Sequence, residues 1–232
     1  MSSHFSDNKH IGIAATFSEL VGTDFNGDKN ALCWFRNLEG DFNELVNKLQ
    51  LNENITEVET IDLLALQLSE QGNKAREIIL KDLKVLTDFG AAPVLNLLKC
   101  YERDDAFDFI STDVYSYHVD RSPVATDTFL CTYYGAASEI IPNEYAKQKI
   151  LIPEIREQLK ALHNGPSEDL EDFLKDNYFD LHYQVQPQAT PINLGVGHLW
   201  RLAVDHPEKQ VLPCIHRAPI EKEGEYRLLL IC

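Results

Sequence analysis

The 232-residue chain contains no apolar run near the roughly 20 residues that a membrane-crossing helix needs. Its opening, MSSHFSDNKH, has no basic segment followed by an apolar one, so the sequence predicts neither a secretory leader nor a membrane partner. Cysteine is sparse: Cys33, Cys100, Cys131, Cys214 and Cys232 make an odd number, and no CxxC occurs. This argues against a disulfide-stapled secreted scaffold and predicts free thiols in a reducing, cytoplasmic setting. Basic residues are few, 21 against 37 acids, for a formal net charge of −16. Such a surface repels phosphate backbones, which argues against nucleic acid as a partner. GxSxG, P-loop and GxGxxG motifs are missing, as are internal repeats and low-complexity tracts.

What is present is ordinary globular composition, 44% hydrophobic and 25% charged, enough for one sizeable domain over residues 1–232. Residues 1 to about 30 are polar with weak periodicity, and a flexible start is expected there. ALCWFRNL (31–38) reads as a short buried strand leading towards a helix. Phe42, Leu45, Val46 and Leu49 fall at helical spacing, and 55–90 holds one or two further amphipathic helices, with a break expected at Gly72–Asn73. From about residue 91 the chain changes character. Residues 93–102, 113–120 and 127–135 are rich in β-branched and aromatic residues between turn formers. A polar helical insertion over about 143–180 follows, with Pro153 at one helix start and Ser167 as the N-cap of another. Strands resume at 193–205, 210–219 and 224–232. Helices at about 36–90, then a β core at about 91–232 interrupted by helices, predict an α+β fold whose β part is a sandwich or jelly roll.

The chemistry concentrates on YSYHVDRS (115–122). Residues two apart on a strand face the same side, so His118 and Asp120 would point together. One imidazole and one carboxylate make two thirds of a 2-His-1-carboxylate metal site, the set that holds non-haem Fe(II) with open positions. The best third ligand is His216, 96 residues after Asp120 in another strand-like run. Arg227 follows His216 by 11 residues, and its guanidinium fork matches a carboxylate. Each residue alone has a plainer reading: surface alternation for H-x-D, ordinary packing for His216, an ion pair with Glu223 or Glu225 for Arg227. The order of all four within the strand-rich half favours the metal site.

The pattern HVD…H-x10-R resembles the Fe(II)/2-oxoglutarate-dependent dioxygenase superfamily, whose fold is a double-stranded β-helix. More narrowly, CWFRNL, YHVDRSPVATDTFLCTYYGAASEIIPN and CIHRAPIEKEGEYRLLL are similar to an uncharacterised bacterial family, domain of unknown function 1826. In that family the TYYG-like block usually runs on into a Trp-containing segment, where this chain has AASEII (136–141). The resemblance implies that His118, Asp120 and His216 ligate iron. Arg227 would pair with the distal carboxylate of the cosubstrate 2-oxoglutarate, helped by Tyr134 or, on the same side, Thr132. It also implies a small-molecule substrate, such as an amino acid or a derived metabolite, hydroxylated with O2 as succinate and CO2 are released. The helical regions would then cover the open end of the barrel. Tyr115 and His198 read as structural, and Arg121 as a surface ion pair. Two other classes remain open: a non-enzymatic β-sandwich that binds a ligand, and a jelly-roll metalloenzyme that does not use 2-oxoglutarate.

Overall fold

Residues 8–222 and 224–232 are described in the computed structural model. The polar opening yields more structure than its composition predicts. Strand β1 (Ile11–Ala14) lies parallel to β2 (Ala31–Trp34), and between them Thr16 caps a short helix α1 (Phe17–Gly22) by accepting from the Glu19 amide. A four-residue strand holds too few alternations to stand out in a sequence, which is why β1 escapes notice there. The flexible start expected for the first residues lies partly outside the described residues.

Three more helices follow: α2 (Phe42–Lys48), α3 (Thr60–Ala65) and α4 (Glu70–Phe89). The break between α3 and α4 falls at 66–69, not at Gly72–Asn73. Ser69 is the reason: its hydroxyl accepts from the Gly72 amide at 3.1 Å and starts α4. Gly72 serves close packing, since a Cβ there would lie 2.3 Å from the Glu44 carboxylate. Ala75, Ile79, Asp82 and Leu86 form the buried stripe of α4, and Gly90, at φ 101°, ends it in a left-handed cap.

The remaining strands are β3 (Ile55–Glu57), β4 (Val94–Leu98), β5 (Asp127–Tyr134), β6 (Glu139–Ile141), β7 (Ala146–Gln148), β8 (Tyr183–Val185), β9 (Ile192–Asn193), β10 (Leu199–Ala203), β11 (Ile215–Arg217) and β12 (Arg227–Ile231). They build a seven-stranded mixed sheet in the order β1-β2-β10-β5-β12-β4-β3, a three-stranded sheet β11-β6-β9 and a ribbon β7-β8. The N-terminal region is therefore not purely helical: β1, β2 and β3 belong to the same sheet as the later strands. The insertion carries α5 (Pro153–His163), with Pro153 at its first turn, and α6 (Leu170–Asp176). Ser167 begins a 3-10 turn before α6 and makes no capping bond.

Each face of β5 has its own core. Phe129, Cys131 and Tyr133 pack with Leu45, Leu63, Ile79 and Leu86, so helices α1 to α4 cover one face of the large sheet. Leu130, Trp200, Leu202 and Leu229 pack with Ile140 of β6 and with Cys214, so the small sheet covers the other. Asp82 breaks the apolar stripe of α4 but is paired. It accepts from Arg36 at 2.7 Å and from the Tyr133 hydroxyl at 2.7 Å, which ties helix to sheet beneath α4. Helices α2 to α4 thus lie on the sheet face away from Leu130 and do not cover an open barrel end. No helix among the described residues is long and apolar enough to cross a membrane.

Candidate metal and carboxylate site

The H-x-D segment is not a regular strand. Asp113 folds the chain by accepting from the amides of Tyr115 (2.9 Å) and Ser116 (3.2 Å), and only then does the backbone extend. Local side-chain acceptors of this kind compete with strand pairing. His118 makes isolated bridges on both sides, to His216 and to His182. The bridge to His216 is reciprocal, each amide donating to the other's carbonyl at 2.9 Å. Directly opposed residues of an antiparallel pair project their side chains to one face. The three imidazoles therefore stand in a row, with ring centroids 4.5 Å apart for His118–His216 and 5.7 Å for His118–His182.

Asp120 sits across the front of the first pair. Its oxygens lie 3.9 Å from His118 Nε2 and 3.6 Å from His216 Nε2. One ligand atom from each of the three residues lies within 4.8 Å of the others, close enough for one ion to bridge. The two rings are oriented from behind: His118 Nδ1 faces the Ser116 carbonyl at 2.8 Å and His216 Nδ1 the Cys214 carbonyl at 3.2 Å. A carbonyl can only accept, so each Nδ1 carries the proton and each Nε2 presents its lone pair towards Asp120. This is how metal-binding imidazoles are commonly held. The Thr128 hydroxyl donates to Asp120 Oδ2 and fixes the carboxylate. The donor set and its supports fit a 2-His-1-carboxylate divalent metal centre.

Burial, and after it the neighbouring His216 imidazole, pull the His118 imidazole down to about 4, so it is neutral and ready to ligate at ordinary pH. Burial pushes Asp120 up, but the neighbouring His216 imidazole, the Thr128 hydrogen bond and the His118 imidazole outweigh it and leave the carboxyl below its usual range. Asp120 is the most open of the three, with 35% of its side chain exposed against 14% for His118 and 9% for His216, so access comes from its side.

Arg227 lies further along the same surface of β5. Its Nη2 donates to Ser138 Oγ at 2.7 Å and to Thr132 Oγ1 at 3.3 Å, its Nε is sealed without a partner, and the residue is 2% exposed. No carboxylate lies within ion-pair distance of it among the described residues. Glu225 pairs with Lys222 instead, and Glu223 lies outside the described residues. Burial lowers the Arg227 pKa, against Tyr101, Glu221 and Tyr115. Thr128 and Thr132 share a face of β5, four residues apart, which at a strand's rise is about 13 Å. Thr132 and Tyr134 do not share a face, contrary to simple alternation. The pairing with β12 shifts between Leu228, opposite Tyr134, and Leu229, opposite Thr132. That bulge turns Tyr134 towards the helix-side core, so Thr132 is the one that touches Arg227.

The other named residues are structural. Tyr115 donates to Glu221 at 2.6 Å, His198 stacks on Phe35 and accepts from the Arg36 amide, and Arg121 bridges Asp180 and Asp205. Sequence reasoning missed Thr128, Ser138, Lys149 and His182. Thr128 was recoverable, since 128, 130 and 132 alternate along one strand. His182 carries no such signal, because it follows a 3-10 turn (Phe179–Leu181) and meets His118 through a single bridge. A groove of about 940 Å³ is lined by Phe25, Phe89 and Arg201 among others and includes none of His118, Asp120, His216 or Arg227. Comparison with protein-family models, curated proteins and solved structures finds no match to this chain.

Proposed function

We propose that this protein is an Fe(II)/2-oxoglutarate-dependent oxygenase that hydroxylates a small molecule, built on a double-stranded β-helix of the kind its H-x-D…H-x10-R pattern resembles. The observation that carries the reading is the single face of β5. At one end its Thr128 holds the carboxylate of a His118–Asp120–His216 donor set, and at the other Thr132 touches a sealed guanidinium with no acid within ion-pair distance among the described residues. The metal centre alone would suit many divalent-metal enzymes. A guanidinium without a carboxylate, on the same strand face, favours a dicarboxylate cosubstrate.

Fe(II) held by the three side chains, with 2-oxoglutarate and O2, would supply the oxidation: one oxygen atom enters a substrate C–H bond, the other enters succinate, and CO2 leaves. The protein's own part is positional. The Ser116 and Cys214 carbonyls keep both imidazoles in the ligating tautomer. Thr128 keeps Asp120 from rotating. Arg227, with Ser138 and Thr132, anchors the far carboxylate and so fixes the reach of the cosubstrate, and the core around Leu130 and Leu229 keeps water away between them. The working place in this reading is the cytoplasm, in line with the five free cysteines, and the acidic surface argues against nucleic acid.

The test is anaerobic titration of Fe(II) and then 2-oxoglutarate, read as the weak visible charge-transfer band of the chelate. The expected result is a band at one equivalent of iron, and loss of iron in His118→Ala, Asp120→Ala and His216→Ala proteins that remain folded. No iron binding would replace this reading with a β-sandwich binding module. Iron without the band would replace it with a metalloenzyme that does not use 2-oxoglutarate.

A further inference from the structure

The segments that hold the Asp120 backbone also wall a groove. The Asp205 amide donates to the Asp120 carbonyl at 2.8 Å, and the Ser122 amide donates to the Asp205 carbonyl at 2.9 Å. Ser122, Pro123, Asp205 and Pro207 from these two segments, with Tyr178 from the turn after α6, line a groove of about 670 Å³. That volume suits a small molecule. Ser122 stands two residues past Asp120, whose side chain is the most open of the donor set, so groove and metal centre are neighbours along one segment.

Tyr178 is the unusual member. Its φ is 59°, in the left-handed region that costs a residue with a Cβ free energy. Asn164, the other non-glycine residue there among the described residues, caps α5, a position that suits asparagine. Tyr178 leads into a turn whose Phe179, Asp180 and Leu181 are buried, yet its own ring is 61% exposed. No hydrogen bond or ring contact holds that side chain among the described residues. Neither packing nor pairing accounts for the strained backbone; what it achieves is a ring held out beside two exposed prolines, Pro123 and Pro207. The charges at the groove cancel. Arg121 and Lys209 also line it; Arg121 is paired with Asp180 and Asp205, and Lys209 with Asp205. Two cations against two carboxylates leave nothing to attract an ion. Rigid apolar walls with one aromatic face and no net charge are the complement of an uncharged ring, which stacks on tyrosine and demands no counter-ion.

We infer that this groove is the substrate site of the metal centre, and that the substrate carries an uncharged aromatic ring seated on Tyr178 beside Pro123 and Pro207. The reaction rests on the oxygenase reading; the ring rests on the groove. The insertion thereby gains a role. Residues 143–180 bring Tyr178 to the segment that carries Asp120, whereas α2 to α4 lie on the far side of the sheet.

The experiment uses the full chain with Mn(II) and 2-oxoglutarate under nitrogen, and reads the proton spectra of small probes. Saturation transferred from the protein reports binding, and broadening by the paramagnetic ion reports nearness to the metal. The probes are indole and benzamide, with cyclohexanecarboxamide, benzylamine and benzenesulfonate as controls. Indole or benzamide is expected to show both effects, and the saturated and charged controls to bind several-fold more weakly. Tyr178→Gly should weaken the ring roughly three- to tenfold, while Tyr178→Phe leaves it unchanged. Tyr178→Gly should also unfold no earlier in urea than the wild type, because glycine adopts φ 59° freely. Equal binding of benzamide and cyclohexanecarboxamide, tighter binding of a charged ring, saturation transfer without broadening, an unchanged response in Tyr178→Gly, or a Tyr178→Gly protein clearly less stable than the wild type would overturn the site. No effect on either ring while the protons of 2-oxoglutarate broaden would do the same and leave the oxygenase reading standing. Broadened ring protons without broadened 2-oxoglutarate would uphold the groove and count against the oxygenase reading. Absence of Mn(II) binding would remove both.

Discussion

Arg227→Met separates a guanidinium kept for a ligand from one kept for the fold, because the two roles predict opposite changes in stability. A structural arginine is paired with an acid, and removing it strands that acid in the interior at a cost of about 3–5 kcal/mol. Among the described residues the guanidinium hydrogen-bonds the Ser138 and Thr132 hydroxyls alone, and its Nε has no partner. Losing hydrogen bonds from a charged donor costs about 1.5–3 kcal/mol each at most, and the freed hydroxyls can turn to other acceptors. Against this stands the relief of no longer burying an unpaired charge, worth several kcal/mol. The two contributions oppose each other, so the ligand-free Arg227→Met protein should unfold in urea within about 1–2 kcal/mol of the wild type, or later.

Affinity for 2-oxoglutarate should behave differently. A bidentate charge-assisted contact in a sealed setting is worth about 2–4 kcal/mol, so the dissociation constant should rise roughly 30- to 1000-fold. Calorimetric titration into the Mn(II) protein under nitrogen measures this, and Mn(II) affinity itself should hardly change, because Arg227 is not a ligand. A variant destabilised by about 3 kcal/mol or more with unchanged 2-oxoglutarate affinity would refute the reasoning and make Arg227 a structural residue.

Thr128→Val removes the hydroxyl that fixes Asp120 and should weaken metal binding roughly 10- to 100-fold without unfolding the protein; competition against a chelator measures it, and an unchanged affinity would show that Asp120 needs no such support. Asp82→Ala leaves the Arg36 guanidinium buried without its carboxylate and should cost about 3–5 kcal/mol in urea unfolding, while metal affinity is retained because Asp82 acts on the other face of the sheet. In the metal-free protein, His118 is held near 4 while an unfolded histidine titrates near 6.5, so the unfolded chain binds more protons between these values; stability is complete above about pH 6.5 and falls by about 3 kcal/mol as the pH approaches 4. His182, lowered to about 3 chiefly by burial, adds a loss of the same sign, and a flat urea midpoint from pH 7 to 4.5 would contradict both.

The elements legible in the sequence are those with a long enough period to count. The stripe Ala75–Ile79–Leu86 announces α4, and the β-branched and aromatic run across 127–134, bounded by turn formers, announces β5. His118, Asp120 and His216 could be grouped because H-x-D is compatible with any extended backbone, whether or not it belongs to a ladder. The structure keeps the extension and discards the ladder, leaving one bridge to each side of His118. What stayed hidden depends on contacts between distant residues. The bulge that separates Thr132 from Tyr134 arises from pairing with β12, almost a hundred residues later. The bridge from His118 to His182 spans an entire helical insertion, and no local pattern encodes it.

Strand β5 explains why the site tolerates so little regular structure around it. The candidate ligands come from a loop (His118 and Asp120) and from a three-residue strand (His216), elements that would drift if each were held by its own backbone alone. Each is instead referred to a neighbour. His118 and His216 share two amide–carbonyl bonds, and the Asp120 carbonyl accepts from the Asp205 amide at 2.8 Å while its side chain is held by Thr128. Thr128 and Thr132 are in turn fixed by an eight-residue strand hydrogen-bonded on both sides, to β10 and to β12. The separation between Asp120 and Arg227 is thus set by the longest strand of the sheet, and the loops inherit it. That arrangement concentrates sensitivity in β5. Substitutions in the 113–117 turn can be absorbed by the bridges, whereas a shift of β5 against β12 would change the span between Asp120 and Arg227, which under the proposed function a dicarboxylate of fixed length has to match.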